Sequence, residues 1–83
     1  MKIIKISAIW CPACIITTNS LNKIKDRYNF DIEELDYDFD DISNYNVGDT
    51  LPVLIFIKDN KEVERLIGEK NSKEIEEVLN KYE

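Results

Sequence analysis

Two cysteines separated by two residues, Cys11 and Cys14 in the stretch Trp10-Cys11-Pro12-Ala13-Cys14, are the only thiols in the chain. A pair at this spacing closes a disulfide on itself and reopens it without moving the rest of a fold, which is what thiol–disulfide exchange requires. A β-branched run (Ile3, Ile4, Ile6, Ile9) precedes the pair and a helical pattern follows it. The first thiol therefore falls at a strand-to-helix junction, where unpaired N–H groups and the helix dipole favour negative charge. The thiolate is the attacking species in exchange, so Cys11 is the candidate nucleophile. Cys14, one helical turn on and more buried, is the candidate resolving thiol. Two blander readings stand beside this one. A structural disulfide over so short a loop contributes less chain entropy than a long one. Zinc needs four ligands; one C-x-x-C in a chain without histidine supplies two, so a metal site would need a second chain or nearby carboxylates.

The elements that must position these thiols can be read in order. Residues 2–9 are β-rich and apolar on both faces apart from Lys5 and Ser7, the pattern of a central strand. Cys11 sits at the N-cap of a helix with Pro12 at its first position, where the missing N–H is not needed. The periodicity carries that helix to about Tyr28, with Ala13, Ile16, Ser20, Leu21, Ile24 and Tyr28 on one face. A second strand spans about Phe30 to Tyr37, Ile32 facing one way and Leu35 and Tyr37 the other. Residues 38–50 read as an acidic loop with a short helix over Ile42, Tyr45 and Val47, the Asp36–Asp41 run being a solvated face. Residues 51–58 are the clearest strand, opened by Pro52, a residue confined to strand starts and edges. Asp59-Asn60 turns the chain into an antiparallel partner over 61–67. Gly68 breaks that strand, and Asn71 with Glu74 three residues on forms a capping box for a last helix. Ile75, Val78, Leu79 and Tyr82 give this helix its inner stripe. Trp10, next to the capping cysteine, reads as a part-exposed platform for substrate, and the four tyrosines as rim residues of the core.

Composition bounds the function. The 83 residues have room for one domain, 1–83, and one core. A formal charge of −6 without histidine argues against nucleic acid or an anionic membrane as partner. No apolar run approaches the roughly 20 residues of a membrane span. Met1 leads within one residue into the first strand, with no leader pattern, so the cytoplasm is the expected compartment. There a C-x-x-C pair is more often catalytic or metal-binding than structural. The order βα, β, short α, ββα predicts an α/β fold, a four-stranded mixed sheet with helices on both faces.

This order, with Trp10-Cys-Pro-Ala-Cys14 and Leu51-Pro52 opening the third strand, resembles the thioredoxin-like family over essentially the whole chain. The resemblance is to a minimal form, close in size to glutaredoxins. Trp10 and Leu66-Ile-Gly68 are similar to thioredoxins, Pro12 and Thr50-Leu51-Pro52 to glutaredoxins. It implies a thiol–disulfide oxidoreductase reducing protein disulfides, serving electron transport and cell redox homeostasis. It needs no cofactor, takes electrons from a thioredoxin reductase-like enzyme or glutathione, and works as a monomer. It also implies a cis Leu51–Pro52 bond facing the cysteines, with the Leu51 backbone free to pair with an extended substrate. Trp10, Pro12, Ala13, Leu51 and Pro52 are then the substrate-contacting residues. Thioredoxins carry a buried acid six residues before the first cysteine, accompanied by a lysine on the neighbouring strand. Here those positions hold Lys5 and Glu34, a pair with its charges exchanged, which makes Glu34 the expected proton acceptor for Cys14 and Lys5 its partner; the alternatives are that Lys5 snorkels to the surface with Glu34 solvated, or that a one-residue slip makes Glu33 the partner. The rival reading from another class is a redox-sensing or partner-binding module without turnover, and a further one is a dimeric zinc-binding protein.

Overall fold

Side-chain character decides which strands take the middle of the sheet. β1 (Lys2–Ser7) and β3 (Val53–Lys58) are apolar on both faces and lie at the centre. β2 (Asp31–Asp36) and β4 (Lys61–Ile67), which mix apolar with charged residues, take the two edges. The order is β2-β1-β3-β4. β1 runs parallel to β2 and antiparallel to β3, which is antiparallel to β4. The computed structural model describes residues 1–82; Glu83, the last residue of the expected domain, lies outside them.

One face of the sheet is covered by α1 (Pro12–Ile24) and α2 (Ser72–Lys81). Leu21 and Ile24 of α1 meet Ile75, Val78 and Leu79 of α2 over Ile3, Leu54 and Phe56. On the other face Ile4, Ile6, Val53 and Ile55 are closed by Tyr37, Ile42, Tyr45 and Val47. That segment contains a 3₁₀ turn, Ser43–Tyr45. The two faces are thus unequal: two α-helices on one, a single turn of 3₁₀ on the other. Among the described residues no helix is long and apolar enough to cross a membrane.

Helix α1 departs from its periodicity in two ways. It ends at Ile24 rather than near Tyr28, and the Arg27 N–H donates to the Ile24 carbonyl at 3.0 Å in a closing turn. Tyr28 instead turns its hydroxyl to Glu76 and Asn80 of α2 (3.3 and 3.0 Å). Phe30 is then buried, and the Asp31 N–H reaches the Met1 carbonyl at 3.1 Å to begin β2. A longer helix would carry these residues away from the sheet. The inner stripe is also shifted: Cys14, Thr17, Ser20, Leu21 and Ile24 are buried, whereas Ile16 is exposed. With Cys14 turned inward, helical spacing brings 17, 21 and 24 in behind it and turns 15 and 16 out.

The remaining signals are local and agree with the sequence. Asp59 and Asn60 both have positive φ (54° and 65°), as a two-residue hairpin turn matching strand twist demands. Asn71 and Glu74 form a complete capping box at α2. Gly68 has φ 91°, and its N–H donates to the Pro52 carbonyl at 2.9 Å, so the residue that ends β4 also anchors the start of β3.

Candidate active site

The site is assembled where β1 hands over to α1. Cys11 is the N-cap residue, in extended conformation (φ −100°, ψ 105°). Its Sγ accepts the Cys14 N–H at 3.2 Å, the donor an N-terminal helix turn offers to negative charge. Its own N–H donates to the Ala8 carbonyl at 3.2 Å, fixing the turn out of the strand. Both cysteines are free thiols. The sequence leads one to expect an open first sulfur above a buried second; instead Cys11 is 5% and Cys14 3% exposed. Both belong to an apolar cluster with Ala8, Leu51 and Val53, which covers the first cysteine almost as fully as the second. Burial, then the hydrogen bond with the Cys11 sulfur, pushes the Cys14 thiol up to about 11. The Ala8 backbone and the Lys5 charge act in the opposite sense.

Leu51 and Pro52 are brought against the cysteines, and the peptide bond between them is cis. The Leu51 N–H and C=O have no hydrogen-bond partner among the described residues. Trp10 is 59% exposed, its indole N–H donating to Asp38 Oδ2 at 2.7 Å and its ring set edge-on to Tyr37 at 6.4 Å. Asp38 is positioned in turn by Asp36, whose Oδ1 accepts the N–H groups of Asp38 (2.8 Å) and Phe39 (3.2 Å). The acidic run is therefore an ordered Asx turn that steadies Trp10, a role its composition hid. The clue was an aspartate two residues before the backbone N–H it accepts, a turn-former by its own chemistry.

Lys5 is buried, and its Nζ lies 2.6 Å from Glu34 Oε1. The β1–β2 register places these two residues directly opposite each other. Glu34 is 65% exposed, so the lysine points inward and the carboxylate reaches back to it from the solvent side. Lys5 Nζ also donates to Thr18 Oγ1 at 2.7 Å. Thr17, fully buried, accepts the Lys70 N–H at 3.1 Å. Neither threonine stood out in the sequence, because a helix of mediocre formers gives no sign of which hydroxyls will meet a distant strand or loop.

The family model described as Thioredoxin matches residues 1–81. Thioredoxin H2 of Arabidopsis thaliana is 29% identical over 85 residues, covering 98% of this chain and 62% of that protein. Thioredoxin H8 of the same plant is 32% identical over 86 residues, covering 99% of this chain and 56% of that one. The chain thus spans less than two thirds of either plant relative. Among solved structures, Fasciola hepatica thioredoxin is 26% identical, with a TM-score of 0.82 over 99% of this chain and 80% of that one. The family model, matched over residues 1–81, agrees with the relatives and with the backbone: the chain belongs to the thioredoxin family.

Proposed function

We propose that the protein is a thiol–disulfide oxidoreductase that reduces protein disulfides through the Cys11/Cys14 couple. The observation that carries this reading is the placement of Cys11 Sγ as helix cap, receiving the Cys14 N–H at 3.2 Å. In the first step the Cys11 thiolate attacks one sulfur of a substrate disulfide, forming a Cys11–substrate bond and expelling the other substrate sulfur as thiolate. In the second, Cys14 loses its proton and attacks Cys11 Sγ, so that the Cys11–Cys14 disulfide forms and the remaining substrate thiolate leaves. Two electrons pass to the substrate. A thioredoxin reductase-like enzyme or glutathione returns them in the cytoplasm, where such donors keep thiols reduced.

The supporting residues have distinct tasks. Trp10, Pro12 and Ala13 form the surface against which a substrate lies. The unpaired backbone of Leu51 offers an extended substrate a donor and an acceptor, with Pro52 closing the strand start. Glu34 is assigned the Cys14 proton. Lys5, buried against it, lowers the cost of negative charge on Cys14.

Reduction of insulin disulfides with dithiothreitol as electron source tests the reading. Acceleration that depends on Cys11 supports an oxidoreductase; no acceleration by the folded, reduced protein would instead leave a partner-binding module. A stoichiometric zinc assay on freshly purified protein addresses the remaining alternative.

A further inference from the structure

Behind Cys14 the fold is left unfilled. On the helix-facing side of β1 and β2, side chains pair in register as Ile3–Ile32, Lys5–Glu34 and Ser7–Asp36 toward the active-site end. The last pair is short. Where α1 crosses it, a cavity of about 250 Å³ remains, lined among others by Ser7, Ile9, Cys14, Ile15, Thr18 and Asp36. Leu51 and Pro52 do not line it, so it is separate from the backbone site proposed for an extended substrate.

The chemistry of this cavity is divided. Ile9 and Ile15 are 82% and 61% exposed, an uncommon placement for two isoleucines on the same opening. Asp36 supplies a carboxylate. Its Oδ1 is occupied by the turn N–H groups, while Oδ2 has no partner among the described residues. No lysine or arginine pairs with it there either; Lys5, on the same strand face as Ser7, is engaged by Glu34 and Thr18. Apolar wall beside an unpaired carboxylate is the complement of a side chain with a methylene stem and a cationic head.

We propose that this cavity is a specificity pocket for a lysine or arginine that a substrate protein carries beside its reactive cysteine. The stem lies along Ile9 and Ile15, and the head reaches Asp36. The pocket rests on the oxidoreductase reading and narrows it: preferred substrates are disulfides flanked by a cation, which the chain's charge of −6 also draws in.

Three disulfide peptides, identical except for arginine, norleucine or glutamate next to the reactive cysteine, test the pocket. The wild-type protein should reduce the arginine peptide with kcat/KM roughly tenfold above the norleucine peptide, chiefly through KM, and the ratio should shrink with added salt. Asp36→Asn keeps an Oδ1 acceptor for the turn and should bring the ratio close to one. Asp26→Asn, the same charge change just beyond the far end of α1, should leave the ratio in place. Equal rates for the three peptides, or a preference that survives Asp36→Asn, overturns the pocket while leaving the oxidoreductase standing. An unreactive S-methyl analogue of the arginine peptide separates the other failure. If it shifts the NMR signals of Ile9 and Ile15 although no peptide is reduced, the pocket stands and the oxidoreductase reading falls. Shifts that follow protein concentration alone would assign the surface to a second copy and overturn the proposal.

Discussion

Cys14 must give up its proton before the second step, and burial opposes that loss, which is where the two-step exchange is vulnerable. Cys11→Ser should abolish disulfide reduction, whereas Cys14→Ser should trap a mixed disulfide that mass spectrometry detects as a covalent adduct. Faster alkylation of Cys14 than of Cys11 at neutral pH would reverse the two roles. The same burial has a stability signature in the reduced protein. The Cys14 thiol is raised from 9.0 to about 11 in the fold, so above pH 9 the unfolded chain gives up a proton that the native state keeps. The contribution is complete below pH 9 and is lost as pH climbs toward 11, roughly 3 kcal/mol in all. Denaturant melts across that window should show a decline that Cys14→Ala lessens; identical slopes in both proteins would show that the thiol titrates alike folded and unfolded.

Between elements, two contacts hold the site in shape. The Lys5–Glu34 pair ties β1 to the edge strand β2, and its asymmetry predicts which partner is harder to lose. Glu34→Gln keeps an oxygen acceptor but removes the compensating charge beside a buried ammonium, a cost of roughly 1–3 kcal/mol. Lys5→Met leaves a carboxylate already open to water and should cost less. A double-mutant cycle should give a coupling of roughly 0.5–3 kcal/mol. Additive effects would mean that the side chains do not meet, and the proton role of Glu34 would go with them; Glu34→Gln should also slow release of substrate from the mixed disulfide. The second contact is Gly68, whose N–H holds the Pro52 carbonyl. A Cβ there would meet only Thr50 Cγ2 at 3.9 Å, so Gly68→Ala is penalised by its φ of 91° and not by a clash. The expected loss, read from chemical denaturation, is about 1 kcal/mol or somewhat more.

At the scale of the molecule, the sheet places its charged strands at both edges. β2 and β4 carry Glu33, Glu34, Glu62, Glu64 and Arg65, side chains that discourage pairing with another copy. The described chain has a radius of gyration of 11.9 Å, close to the value of about 12 Å for a compact domain of this length. The protein should therefore sediment as a monomer; a dimer in sedimentation equilibrium would mean that an edge or the Ile9–Ile15 surface is self-complementary.

What the sequence determined by itself is what neighbours along the chain decide. The C-x-x-C spacing, Pro12 at the first helical position, the Asp59-Asn60 turn, the Asn71–Glu74 box and the apolar strands 53–58 act over a few residues, so each was legible without a fold. The register that sets Lys5 opposite Glu34 was foreshadowed only through the family resemblance. Tertiary structure alone decided the rest. Thr17 and Thr18 acquire partners from a loop and a strand far away in sequence, and α1 stops at Ile24 because Tyr28 and Phe30 are claimed by α2 and the core. Cys11 is covered by Leu51 and Val53, which periodicity around the cysteine could not reveal. Burial is a property of segments that meet, and a short side chain such as Ser7 becomes one wall of a cavity only once α1 is laid across it.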